Sequence, residues 1–226
     1  FDQDVGWQAL RWDYGVPSGR TVVVYLGLLA AYQGIDHLLQ AAQIICAQRH
    51  DVHWLVGGYP HIEHYQSMAR EMGLADQVTF AGKVPYEQAH RFMGLGDIAV
   101  SPKLSRTEGA GKLLNYMSLG LPTVTFDTQV SHEYLDEWGI YAQPGDCEDL
   151  ARCLLELVVD PVRREMLGTA LRLRAQTHFS WEASAQVIVD TYESLLGSTS
   201  PATPTRRRSA HRTPHSRPPS IVSPPH

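Results

Sequence analysis

Cysteine is scarce in this 226-residue chain: Cys46, Cys147 and Cys153 stand at spacings that fit no metal site, and three is too few and too odd for a disulfide framework. That excludes a disulfide-stapled secreted domain and a Cys-based zinc site, and makes a reducing cytoplasm the expected setting. Long apolar runs are lacking too. None reaches the roughly 18 residues of a membrane-crossing helix, and no signal-peptide pattern opens the chain, which begins at Phe1. A basic surplus is missing from most of the sequence. Residues 197–226 hold five arginines and no acid, leaving 14 of the 19 basic residues against all 24 acids before them. So acidic a body excludes nucleic acid as the main partner, since phosphate neutralisation needs a basic face.

What is present is an alternation. "TVVVYLG" (21–27) is a short β-branched run ended by glycine, as expected of a strand covered on both faces, and "GIDHLLQAAQIICAQRH" follows with a helical apolar stripe. The pair recurs through "VHWLVGG" (52–58), "QVTFAG" (77–82), "DIAVSP" (97–102), "LPTVTF" (121–126) and the small strand "GIYAQ" (139–143), each followed by a helical segment. Two further helices are expected at 161–178, with Pro161 in the first turn, and 181–196, with Ser180 as N-cap. Such alternation predicts an α/β fold, a Rossmann-like parallel sheet with helices on both faces. The expected domains are a lead-in at 1–20, a Rossmann-like domain at 21–196 and a Pro/Arg/Ser-rich tail at 197–226. Half of the 14 prolines fall in the tail, which is expected to be disordered.

Ligands of open parallel sheets bind beyond the carboxyl ends of the strands. The first such loop, "GLLAAYQG" (27–34), lacks G-x-G-x-x-G, and no Walker A motif occurs, so a dinucleotide or P-loop site is unsupported. Gly57 and Gly58 allow either a tight turn or the close approach of a ligand or a second backbone. Lys83 is expected to be exposed beyond the third strand. The fourth loop, "KLSRTEGAG", enters a helix beginning near Lys112, so the free N–H groups of Gly109, Ala110, Gly111 and Lys112 point out of a positive helix end. A lysine there opposes the macrodipole unless an anion sits between it and the amides, or unless it is simply a surface residue. The eleven histidines include the pairs His61/His64 and His50/His53, but no carboxylate or cysteine partner stands at ligand spacing, and no metal site is expected. His132 is assigned a helix-start role.

"VVVYLGLLAAYQGIDHLLQAA", "HWLVGGYP", "VTFAGKVPYE", "GDIAVSPKL", "GKLLNYMSLGLPTVTFD" and "FSWE", in this order, resemble the C-terminal nucleotide-sugar-binding domain of GT-B glycosyltransferases of the family-four type, across nearly all of residues 20–195. The resemblance implies transfer of a hexose from a UDP-, GDP- or other nucleotide-diphosphate sugar, with retention, no cofactor and no divalent metal. The glycan or lipid-linked acceptor would be held by a separate N-terminal domain, and the chain alone is expected to show little or no transferase activity. Peripheral contact at the inner membrane face is a further expectation.

Carried over residue by residue, the resemblance assigns Lys112 and Glu108 to the reacting end. It assigns donor contacts to Gly27, Gln33, Gly57, Lys83, Val84, Gly109, Ala110, Gly111, Leu113 and Asn115. Lys83 and Val84 fall on the stretch beside the nucleobase, and Asn115 on the ribose position, where the family usually has glutamate. The family's diphosphate-binding arginine and lysine are replaced by Leu28 and Gln33, which leaves that charge to Lys112 and the amides. Thr107 falls on the family's sugar-contacting glutamate, with Glu108 beside it. A non-catalytic nucleotide-binding module and a sugar-nucleotide epimerase of the same fold are the alternatives.

Overall fold

A computed structural model describes residues 9–105 and 108–197. The chain divides into two compact units, Phe1–Ala185 and Gln186–His226. In the first, six strands form one parallel sheet: β1 (Thr21–Leu28), β2 (Val52–Tyr59), β3 (Val78–Gly82), β4 (Ile98–Ser101), β5 (Thr123–Phe126) and β6 (Ile140–Ala142). Their spatial order is β3-β2-β1-β4-β5-β6. The chain therefore winds outward from β1 to β3, then returns to the middle and winds the other way, and this reversal opens a crevice between β1 and β4 at the carboxyl edge.

After β1, eight α-helices alternate with or follow the strands among the described residues: α1 (Ile35–Cys46), α2 (Ile62–Glu71), α3 (Tyr86–Met93), α4 (Gly111–Ser118), α5 (Gln129–Leu135), α6 (Cys147–Val159), α7 (Pro161–His178) and α8 (Trp181–Gly197). Alternate side chains of β1 feed opposite layers. Val23 and Tyr25 pack with α1, α2 and α6 through residues such as Leu38, Ile45, Tyr65 and Leu154. Val22 and Val24 pack with α3, α4 and α7 through Phe92, Leu113, Met117 and Leu171. Each large aliphatic side chain buried this way contributes about 1.5–3 kcal/mol, so the sheet's two-sided burial holds the edge rigid.

The described part of the segment expected as a lead-in, residues 9–20, is fastened to the sheet. Residues 9–13 are helical, and Arg11 bonds the Leu95 carbonyl and the Asp97 carboxylate, both at 2.8 Å. The other Asp97 oxygen accepts from the Val22 N–H at 2.7 Å, and Val16 is buried. Strand ends also differ from expectation. β1 runs through Gly27 to Leu28 and β2 through Gly58 to Tyr59, because Leu26 and Gly27 pair with Gly57 and Gly58. His132 is not a helix start: Thr128 caps α5 by accepting from the Ser131 N–H, and His132 lies inside the helix. In the second unit α8 continues as a helix to Gly197, with Gln186 bonded to Asp190 at 2.8 Å. The rest of the 197–226 tail lies outside the described residues.

Candidate functional site

The helices divide by how they start. α5, α6, α7 and α8 have side-chain caps from Thr128, Asp146, Asp160 and Ser180. α1, α2, α3 and α4, which follow β1 to β4, have no side-chain cap. Alanine at the N-cap of α4 is a poor capping residue, since it has no oxygen to offer the first-turn N–H groups. The uncapped helix starts thus lie along the carboxyl edge from β3 to β4.

Lys112, in the first turn of α4, does not extend into solvent. Its ammonium donates to Gln33 Oε1 at 3.1 Å and Tyr25 Oη at 3.3 Å, and lies 4.3 Å from the Tyr25 ring centre. A Cβ added to Gly27 would come within 2.6 Å of Lys112 Nζ, so the missing side chain at Gly27 is what admits the lysine. One turn on, Tyr116 Oη accepts from the Leu26 N–H at 3.1 Å. Both α4 side chains therefore clamp the end of β1, and the cation stands at the β1/β4 reversal.

Partial burial and the neighbouring Lys103 push the Lys112 ammonium down to about 7. Desolvation disfavours the charged form and a like charge adds to it. Burial first, then neighbouring tyrosines, raises Tyr25, which stays a neutral hydroxyl and donates to the Leu28 carbonyl at 2.8 Å.

Lys103, which sequence reasoning missed, is the second cation of the edge. It is 8% exposed, and its ammonium makes an ion pair with Glu108 at 2.9 Å and donates to the carbonyls of Glu108 and Gly109, both at 3.3 Å. The only hint in the sequence is its place directly after Ser101-Pro102, where a strand ends at the edge. Glu108 pairs with Lys103, whereas the partners of Lys112 are the uncharged Gln33 and Tyr25.

The remaining candidates fall in distinct places. Gln33 is buried and serves as the acceptor for Lys112. Gly57 and Gly58 lie inside β2, where an added Cβ would meet Phe92 at 2.7 Å and the Gly27 carbonyl at 1.8 Å. Their close approach is thus to the protein itself. Gly109 and Gly111 are different: among the described residues nothing lies closer than 3.9 Å to an added Cβ at the former or within 4 Å at the latter. Packing gives no reason for glycine at either. Leu28 is exposed and Lys83 is exposed, the latter over the Tyr59 ring at 5.3 Å, with Val84 packed beside the core. Leu113 is fully buried and its N–H is taken by the Ala110 carbonyl at 2.8 Å. Asn115 is exposed on α4 and lines an open pocket of about 440 Å³ with Ser118, Arg172, Phe179 and Trp181. Thr107 lies outside the described residues. Among the described residues no His/Cys/Asp/Glu cluster could hold a metal ion.

A parallel sheet reversing at β1/β4 defines a Rossmann-like α/β domain, and the uncapped start of α4 and two lysines stand at the reversal. The chain belongs to the glycosyl transferases group 1, whose family model matches residues 8–174. It is 25% identical over 190 residues to the alpha-D-kanosaminyltransferase of Streptomyces kanamyceticus, covering 82% of this chain and 48% of that protein. It is 29% identical over 183 residues to the GDP-mannose-dependent alpha-(1-6)-phosphatidylinositol monomannoside mannosyltransferase of Mycolicibacterium smegmatis, covering 76% and 47%. The chain spans about half the length of these curated relatives.

Among solved structures it is similar to sucrose-phosphate synthase from Thermosynechococcus elongatus, with a TM-score of 0.72 and 23% identity over 85% of this chain and 49% of that one. It is also similar to Anabaena Alr3699/HepE in complex with UDP and glucose, with a TM-score of 0.73 and 18% identity over 83% and 52%. The fold is the Rossmann-like layer of GT-B glycosyltransferases.

Proposed function

We propose that this chain is the donor-binding half of a glycosyltransferase that moves a hexose from a nucleotide-diphosphate sugar to a glycan or lipid-linked acceptor held by a second domain. One observation carries the proposal: the Lys112 ammonium stands over Gly27 at the β1/β4 reversal, beside the uncapped start of α4. A diphosphate lying across that start meets the amides of Gly109 to Lys112 and the lysine together. As the glycosidic bond breaks, negative charge grows on the leaving diphosphate, and these preset donors stabilise it without a divalent metal.

The family's arginine and lysine are absent at Leu28 and Gln33, yet Gln33 fixes a lysine arriving from the opposite side of the crevice. The positive charge has changed its point of origin, from the β1 loop to α4. Support for a nucleotide-sugar donor comes from relatives and neighbours: one is named for GDP-mannose and another holds UDP and glucose. Retention at the anomeric carbon, Asn115 at the ribose and Lys83 with Val84 at the nucleobase complete the proposal.

Calorimetric titration with UDP, GDP and their hexose conjugates tests it. The chain is expected to bind one nucleotide series, and Lys112→Ala to weaken it by about 1.5–3 kcal/mol, the worth of a hydrogen bond to a charged group. Absence of binding to every nucleotide, or equal binding by the variant, would overturn the assignment. Transfer itself is expected only when the acceptor domain is supplied, and hexose transfer by this chain alone would contradict that part.

A further inference from the structure

Lys103 is unusual in two ways. A lysine is rarely buried unless paired, and here the side chain is 9% exposed while its partner carboxylate, Glu108, is 58% exposed. Its remaining hydrogen bonds go to two consecutive main-chain carbonyls, those of Glu108 and Gly109. A trans peptide group is planar, with its N–H directed opposite to its C=O. Two carbonyls turned inward toward one ammonium therefore turn the N–H groups of Gly109 and Ala110 outward. Neither N–H has an acceptor among the described residues, and the neighbouring Gly111 faces open space.

We propose that Lys103 is a positioning residue that presets the Gly109 and Ala110 amides for the donor's phosphates, with Glu108 serving as its counter-ion rather than as a contact to the sugar. The inference rests on the donor site proposed above. Without the ammonium, the two glycines flanking Ala110 leave the segment free to rotate its peptide planes, and the phosphates meet amides that must first be ordered. With it, the orientation is fixed before the ligand arrives. Glu108 is held 2.9 Å from the ammonium, so its carboxylate offsets one of the two positive charges at the edge.

Titration of the chain with UDP and GDP, beside uridine and guanosine, provides the test. Lys103→Met is expected to weaken the diphosphate that binds by tenfold or more while changing the affinity of the matching nucleoside less than twofold. A merely structural role would lower both together. Glu108→Gln provides the second arm, because it leaves Lys103 on its two carbonyls and removes a negative charge. It is expected to tighten diphosphate binding at least twofold.

Unchanged diphosphate affinity in Lys103→Met, an equal loss of nucleoside and diphosphate, or weaker diphosphate binding in Glu108→Gln would each overturn the proposal. Should Lys103→Met fail to fold, the Glu108→Gln result decides. A wild-type chain that binds neither diphosphate removes the donor site itself, and this inference with it. A wild-type chain that binds, matched by an equally competent Lys103→Met, removes only the role of Lys103.

Discussion

Binding of a nucleotide sugar should draw a proton out of solution, and Lys112 should be the group that takes it. In the free domain the ammonium titrates near 7, because partial burial and Lys103 both disfavour its charge. The groups around it do not compensate: Tyr25 is held neutral, Gln33 is uncharged, and Glu108 is already engaged by Lys103. A diphosphate in contact supplies the missing counter-charge and raises the lysine again. If the bound form titrates at about 9 or above, then at pH 8 the free lysine is about one-tenth protonated and the bound one at least about nine-tenths, an uptake of about 0.8–0.9 proton per ligand. At pH 6 the uptake should fall to about 0.1. Affinity should accordingly decline by up to about tenfold per pH unit above 7 until the bound lysine itself titrates.

The assay is calorimetric titration at pH 8 in two buffers of different ionisation heat, using the hexose conjugate rather than the free diphosphate. A terminal phosphate has a second ionisation near pH 6 and would add its own proton. Lys112→Met should abolish the uptake. The sign for stability runs the opposite way from a paired lysine. Folding lowers this group below its ordinary 10.5, so its destabilising effect is full below about pH 7 and fades as pH rises toward 10.5. An uptake near zero at pH 8, or the same uptake in Lys112→Met, would refute the reasoning.

Two further outcomes concern glycines. Gly34→Ala should cost about 2 kcal/mol or more in thermal unfolding, because the residue sits at φ 79° and its Cβ would fall 1.8 Å from the Pro102 carbonyl oxygen. Gly73→Ala, at φ 76° with nothing within 4 Å, should cost only about 1 kcal/mol, and equal melting shifts would refute the distinction. Gly27→Ala should leave a folded chain that binds nucleotide about tenfold more weakly, since the added methyl meets the movable end of Lys112 at 2.6 Å; unchanged affinity would show that the ammonium need not occupy that spot.

The alternation of strands and helices was legible because β1, β2, β4 and β5 are short apolar runs buried on both faces, and the helices between them carry apolar stripes. Strand ends were less so. Gly27 and Gly58 look like terminators in a linear sequence, yet their bare backbones let β1 and β2 pair one residue further. At the site, the importance of Lys112 could be read from the macrodipole, but not its partners, since Gln33 and Tyr25 are 79 and 87 residues away. Lys103 was invisible for a related reason. A lysine in a polar loop is ordinarily solvated, and only the folded-back carbonyls of Glu108 and Gly109 make a buried position tenable. The Thr128 cap was overlooked in favour of His132 because both stand near the end of a strand, and only the bond to the Ser131 N–H separates them.

The alanine at position 110 sets robustness against use. A serine there would offer the start of α4 the oxygen that Asp146 offers α6, a cap typically worth about 1 kcal/mol set against the burial of the position. The same oxygen would stand where the donor diphosphate is proposed to lie. A sequence optimised for heat resistance alone would accept that exchange, so thermostabilising substitutions at 110 are those to avoid when engineering this domain. Rigidity is better sought around α5 to α8, whose starts are already closed by their own side chains.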